Sequence, residues 1–224
     1  MSPDSQPTQN QWDDLLTSVR QLCWVFWGPS EELSRQMLHE SFLHPFKTIT
    51  SLIETDVDVE LAALRALLDG FSGPESLFAY LEEGYVRLFV NDRNGVAAHL
   101  YASCYEDEKN PHLMGKAAVR MQEILADLAI HISDDVREPP DHLSLELEVL
   151  YFLLTPKNPP GHPGDLAAAA DFAVREMLPW IQSFQHRLAA ESRCRFYPLI
   201  TGVLLSVLQA IAAFSQPATR RLAQ

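Results

Sequence analysis

The segment from Leu199 to Phe214 constrains this chain more than any other, because it is apolar nearly all round and relieved only by Thr201, Gly202, Ser206 and Gln209. Its sixteen positions fall short of the roughly 20 that cross a bilayer, so it reads as a buried helix, part of a last helix running from about Phe196 to Phe214. A helix without a polar face needs apolar partners on every side. The rest of the chain supplies them: helical periodicity dominates and alternating runs bounded by turn residues are nearly absent, which predicts an all-α fold. No fixed-period repeat is present, which excludes a solenoid.

Local signals divide the remainder into helices. A first helix from about Gln11 to Phe26 places Leu15, Leu16, Val19, Leu22 and Phe26 on one stripe and stops at Gly28-Pro29, since proline disfavours helix in the residue before it. Ser30 caps a second helix toward Phe42, with Glu31 and Glu32 near its positive end. Further helices are predicted over Asp56 to Leu68, Pro74 to Phe89, a short stretch containing Tyr101 to Tyr105, and Leu113 to Ile130, with a loop at Asn94-Gly95. Asp141 is placed to N-cap a helix from His142 to Leu154. A surface loop follows over Thr155 to Gly164, then a helix from Asp165 to Met177. Pro179 begins or kinks the next segment, which carries Trp180, Ile181, Phe184 and Leu188.

Between them the run Ser133-Asp134-Asp135-Val136-Arg137-Glu138-Pro139-Pro140-Asp141-His142 is polar, acidic and proline-kinked. The expected organisation is a helical bundle of two lobes joined by this hinge. Residues 1–11 form a polar tail, 12–132 an N-terminal lobe, 133–142 the hinge and 143–224 a C-terminal lobe. A hinge of this kind permits exchange of a lobe between chains, so a monomer or a domain-swapped dimer is expected.

Charge and motifs exclude several functions. Of 224 residues, 30 are Asp or Glu and 17 Lys or Arg, a formal charge of −13, and no window gathers the basic residues that nucleic-acid binding needs. Cys23, Cys104 and Cys194 lie far apart with no CxxC pair, so neither a disulfide scaffold nor a zinc knuckle is signalled and a reducing compartment fits. The N-terminus lacks the pattern of a secretory signal. The pair Arg220-Arg221 has no apolar stretch after it and is not an export signal. Cytoplasmic placement without stable membrane insertion is expected. Phosphate-cradling glycine motifs, a GxSxG elbow and an HExxH helix are all missing.

Three groups of residues carry possible chemistry. His131, Asp134, Asp135, Glu138, Asp141 and His142 offer imidazole and carboxylate ligands for a divalent metal and hence for hydrolysis. An acidic interhelical loop needs no metal, however, and Pro139 and Pro140 keep these groups off a common helical face. Glu146 points with Leu143, Leu150 and Leu153, opposite Ser144 and Glu148. A half-buried carboxylate there requires an arginine, a tyrosine hydroxyl or a ligand cation, as in a salt bridge across the lobes. Tyr101 and Tyr105, spaced i to i+4, share a helical face and either line a groove or pack in the core.

In order along the chain, Gly84-Tyr85-Val86-Arg87-Leu88-Phe89-Val90, Tyr101-Ala102-Ser103-Cys104-Tyr105, Glu138-Pro139-Pro140-Asp141-His142-Leu143 with Glu146-Leu147-Glu148, and Leu178-Pro179-Trp180 with Phe196-Tyr197 resemble the motifs of the TorD/DmsD/NarJ-like family of cytoplasmic chaperones. The likeness runs from about Leu15 to Ala213. Where that family often has glycine ahead of the hinge, this chain has Ala129. The resemblance implies a non-catalytic, cofactor-free, all-helical chaperone. It would bind the twin-arginine signal peptide, and possibly the core, of the catalytic subunit of a molybdopterin oxidoreductase, assisting cofactor insertion and delaying export until maturation. Carried over by position, Tyr101, Ser103, Tyr105, Glu138, Asp141 and His142 are the peptide-site residues it implies. An acidic surface attracts a peptide with two arginines, and apolar helix faces accept its hydrophobic stretch. The alternative is a metal-dependent hydrolase built on the cluster at 131–142.

Overall fold

The computed structural model describes residues 7–50, 57–91, 95–107, 110–156, 165–190 and 194–213. Asp56, Asn94, most of the Thr155 to Gly164 loop, Phe214 and the Arg220-Arg221 pair lie outside them.

Helix α1 (Gln9–Trp27) begins with a capping box: the Thr8 hydroxyl accepts from the Gln11 N–H, and the Gln11 side chain accepts from the Thr8 N–H. Its stripe of Leu15, Val19, Leu22 and Phe26 is buried, and it ends at Gly28 in a left-handed conformation, φ 129°. Ser30 caps α2 (Glu31–Leu38) by accepting from the Leu33 N–H at 3.1 Å. Instead of running to Phe42, α2 stops at His39, whose extended backbone breaks the helix and whose ring accepts from Ser41 N to start a 3-10 turn over Glu40–Leu43. A separate helix, α3 (His44–Thr50), follows. Next come α4 (Val57–Leu68) and α5 (Pro74–Tyr85), the latter continuing as a π turn over Val86–Val90.

Helix α6 (Lys116–Asp127) is shorter than its apolar pattern suggests because left-handed residues bound it, Met114 at φ 60° and Ala129 at φ 54°. Its first free amides are taken by Glu106, whose carboxylate accepts from Lys116 N (3.1 Å) and Ala117 N (2.5 Å). The C-terminal half holds α7 (Leu143–Leu154), α8 (Leu166–Phe172) with a π turn over Ala173–Met177, α9 (Leu178–Ala189) and α10 (Phe196–Ala213).

The fold is all-α, and among the described residues there is no strand, only an isolated antiparallel bridge between Tyr101 and His142. As its sequence requires, α10 is enclosed: it packs on α3, α4, α8 and α9. By length and composition it would cross a membrane, but 72% of it is buried inside the protein, as befits a core helix. Helix α1 lies along α7, and one hydrophobic core runs through helices on both sides of residues 133–142. Glycine is needed at Gly84, where an added Cβ would stand 2.4 Å from the Cys194 sulfur; this lets α10 and its approach press against α5.

Candidate functional site

The site is built where the proline turn meets the 3-10 turn. His142 N donates to Pro139 O at 3.0 Å, closing a turn over Pro139-Pro140-Asp141. Ala102 N then donates to Asp141 O and Leu143 N to Leu100 O, at 3.1 and 2.8 Å. These bonds set the Tyr101 side chain against His142.

The turn also moves the start of α7. Asp141 was expected to cap it, but Asp141 lies within the turn, and the cap is His142, whose Nδ1 accepts from Ser144 N at 3.1 Å. The Asp141 carboxylate points instead to the 3-10 turn, Ala102–Tyr105. Its Oδ2 accepts from Ser103 N (2.8 Å) and from the Ser103 hydroxyl, which itself accepts from Gly115 N at 2.9 Å. Both residues are fully buried and frame the site from beneath.

Above that frame is an aromatic stack. The Trp27 ring lies on His142 with centroids 5.1 Å apart and planes within 18°, and Tyr101 meets the same imidazole edge-on at 5.2 Å. A carboxylate stands at each side: Tyr101 donates its hydroxyl to Glu138 Oε2 (2.6 Å), and Trp27 donates Nε1–H to Glu148 Oε1 (2.9 Å). Tyr85 holds the end of α1, donating to the Phe26 carbonyl at 3.1 Å. Burial pushes His142 down to about 4, against the opposing pull of Glu138 and Asp141. The imidazole is therefore neutral near pH 7, and because Nδ1 accepts, its proton is assigned to Nε2. Burial, reinforced by Glu138, raises Tyr101 well above a free phenol and Tyr85 to about 12, so both phenols remain protonated.

Tyr105 goes elsewhere. Tyr101 is extended (φ −124°, ψ 127°) and the 3-10 turn begins after it, so the two phenols do not share the face that α-helical spacing implied. Tyr105 donates to His99 O at 2.9 Å, packs against Trp180, and has the Arg187 guanidinium 4.3 Å above its ring. Glu146, expected to be half-buried, is 1% exposed. Its partner is none of those anticipated: Trp180 donates its indole N–H to Oε2 at 2.9 Å. Burial raises this carboxyl well above its ordinary value, favouring the neutral form. Ser144, placed on the polar face by spacing, is buried as well.

The hydrolase alternative is not supported. Among the described residues no group of three or more His, Cys, Asp or Glu is arranged to hold a metal ion. Asp141 is committed to Ser103 and Glu138 engages Tyr101, while His131, Asp134 and Asp135 are exposed.

The arrangement thus joins Tyr101, Glu138 and His142, sets Ser103 and Asp141 below them, and places Tyr105 apart. It adds Trp27, Tyr85 and Glu148, which sequence reasoning missed. Tyr85 and Glu148 stood within the family-like motifs without being marked as site residues, and Trp27, between the end of the helix read to Phe26 and the Gly28-Pro29 stop, was not singled out.

Residues 52–186 match the family model described as nitrate reductase delta subunit. A chaperone protein TorD from Vibrio cholerae is 26% identical over 196 residues, covering 83% of this chain and 87% of that protein. One from Actinobacillus succinogenes is 30% identical over 115 residues, covering 51% of this chain and 54% of that one. A crystal structure of a redox enzyme maturation protein from Archaeoglobus fulgidus aligns over 93% of this chain and 99% of its own, at 20% identity and a TM-score of 0.49. The family match takes in Tyr101 through Glu148 and leaves out α1.

Proposed function

Because this chain belongs to the nitrate reductase delta subunit family, whose TorD- and NarJ-like members are molybdoenzyme maturation chaperones and not enzymes, we propose that it holds the twin-arginine signal peptide of a client molybdopterin oxidoreductase at the Trp27–His142–Tyr101 stack. It does so in the cytoplasm, shielding the leader until cofactor is inserted and export can proceed.

The observation that carries this reading is the bracketing of an aromatic surface by Glu138 and Glu148. A guanidinium is planar: it stacks on aromatic faces and bonds a carboxylate in a bidentate fork, and lysine does neither as well. Two carboxylates offer one such fork to each arginine of a pair. The net charge of −13 draws a cationic segment toward the surface before contact. His142, neutral and without charge to repel a guanidinium, serves as floor, and Asp141 and Ser103 position it from below.

Calorimetry with a twin-arginine leader peptide tests this. The Arg-Arg peptide is expected to bind and its Lys-Lys variant to bind at least about tenfold more weakly. Glu138→Gln and Glu148→Gln should each cost the Arg-Arg peptide roughly tenfold, in the range of a lost charge-assisted hydrogen bond. Equal affinity for the two peptides, or no binding of either, overturns the reading.

A further inference from the structure

Trp27 has a second face of neighbours. A groove of about 330 Å³ opens between α1 and α2, lined by Trp24, Trp27, Gly28, Leu33, Glu32 and Gln36. Trp24 is 40% exposed, a large apolar surface to leave in water. The groove's one acid is already engaged, since Glu32 accepts from Gln36 at 3.1 Å and pairs with Arg35. Its apolar walls are the indoles of Trp24 and Trp27 and the Leu33 side chain, with Ser30, Glu32 and Gln36 as its polar rim. At the far side, the Arg20 guanidinium lies 5.2 Å over the Trp24 ring.

These features give the surface a direction. Carboxylates flank the His142 end of Trp27, apolar walls follow toward Trp24, and a fixed cation marks the outer edge. A twin-arginine leader has the complementary order, an arginine pair followed by an apolar run. Resting on the reading of the site given above, we propose that the α1–α2 groove seats the apolar side chains that follow the arginine pair, so that the leader runs from Glu138 and Glu148 across Trp27 to Trp24. Arg20 disfavours the reverse orientation, because it would face the client's arginines. The groove's volume admits a few aliphatic side chains and not a whole helix, so it reads the first apolar positions after the pair.

Two leaders distinguish this: one natural in pattern, the other keeping Arg-Arg but with the three following apolar residues replaced by glutamine. The wild-type protein is expected to bind the polar leader about tenfold more weakly. Trp24→Ala should weaken the natural leader by a similar factor and leave the polar leader within about twofold, with discrimination between Arg-Arg and Lys-Lys retained. Independently of any variant, a benzophenone placed in the apolar run should cross-link to residues 24–36. If the Arg-Arg leader binds but Trp24→Ala affects both leaders equally, or the cross-link maps away from α1 and α2, this inference fails while the reading of the site stands. If no leader binds, the reading of the site falls and this falls with it.

Discussion

One oxygen of Asp141 receives two hydrogen bonds from Ser103, from its backbone N–H at 2.8 Å and from its hydroxyl. Through the bond from Gly115 N to the same hydroxyl, the pair ties the proline turn to the 3-10 turn and to the start of α6. Asp141→Ala leaves two buried donors without an acceptor and should destabilise the protein by about 3 kcal/mol, each orphaned group costing roughly 1–3 kcal/mol. Asp141→Asn keeps an acceptor and should cost less. Urea unfolding of Asp141→Ala, Ser103→Ala and the double variant should show strong non-additivity, with a coupling of about 1–3 kcal/mol; simple additivity contradicts the linkage.

The pH dependence of stability should be set by two buried groups acting in opposite senses. His142 has a native value of about 4 against 6.5 unfolded. Between those values the unfolded chain binds a proton that the native state refuses, so stability falls as pH drops. Glu146 is raised well above 4.5: the native state keeps a proton that the unfolded chain releases, so stability falls as pH rises from 4.5. The slopes, each at most about 1.4 kcal/mol per pH unit, offset one another between 4.5 and 6.5. Above that window the His142 slope is gone, and any fall that continues belongs to Glu146. Glu146→Gln preserves an acceptor for Trp180 and removes that proton. Its stability should rise with pH to about 6.5 and then level off, so its advantage over the wild type grows as pH rises. Parallel profiles in urea unfolding from about pH 4 to 8 would contradict the assignment.

Ala129 follows α6 at φ 54°, where an L residue with a Cβ is strained by roughly 1–2 kcal/mol. Ile130 N reaches back to Leu125 O at 2.9 Å, the long bond of a Schellman cap, which favours glycine at this position. Ala129 is exposed and little packing depends on it. Ala129→Gly should raise stability by about 0.5–1 kcal/mol, part of the relief being offset by glycine's unfolded-state entropy. A lower thermal midpoint would count against this account.

Gly84→Ala should have the opposite effect. The new methyl would meet the Cys194 sulfur at 2.4 Å and Tyr197 at 3.4 Å, and Cys194 is buried. Overpacking of this kind costs about 1–3 kcal/mol. In a Cys194→Ala background the same substitution should cost markedly less, which a melting series on the four proteins can establish.

Helix ends with local chemistry were legible: the Gly28-Pro29 stop and the Ser30 cap stand where their residue types placed them. Helix α3 was not, because seven residues are too few to display a 3.6-residue period. The burial of Glu146 followed from its place on the wheel, but its partner did not, since the indole N–H of Trp180 bears no charge by which to anticipate a pairing. Of the site, the family motifs drew attention to Tyr101, Ser103, Glu138, Asp141 and His142, and also to Tyr105, which lies apart. The contact between Trp27 and Glu148 spans 121 positions, and no local spacing encodes it. Tyr101 and Tyr105 were misread together because Tyr101 is extended and the 3-10 turn begins only after it, so no helical spacing relates the two rings.

The phenol of Tyr85, bonded to the last carbonyls of α1, fixes the backbone that carries Trp27, and the Glu148 carboxylate and the His142 ring hold its indole. A surface fastened in this manner meets its guest already shaped, so association should require scant rearrangement of the host, and most of the ordering entropy should fall on the arriving peptide.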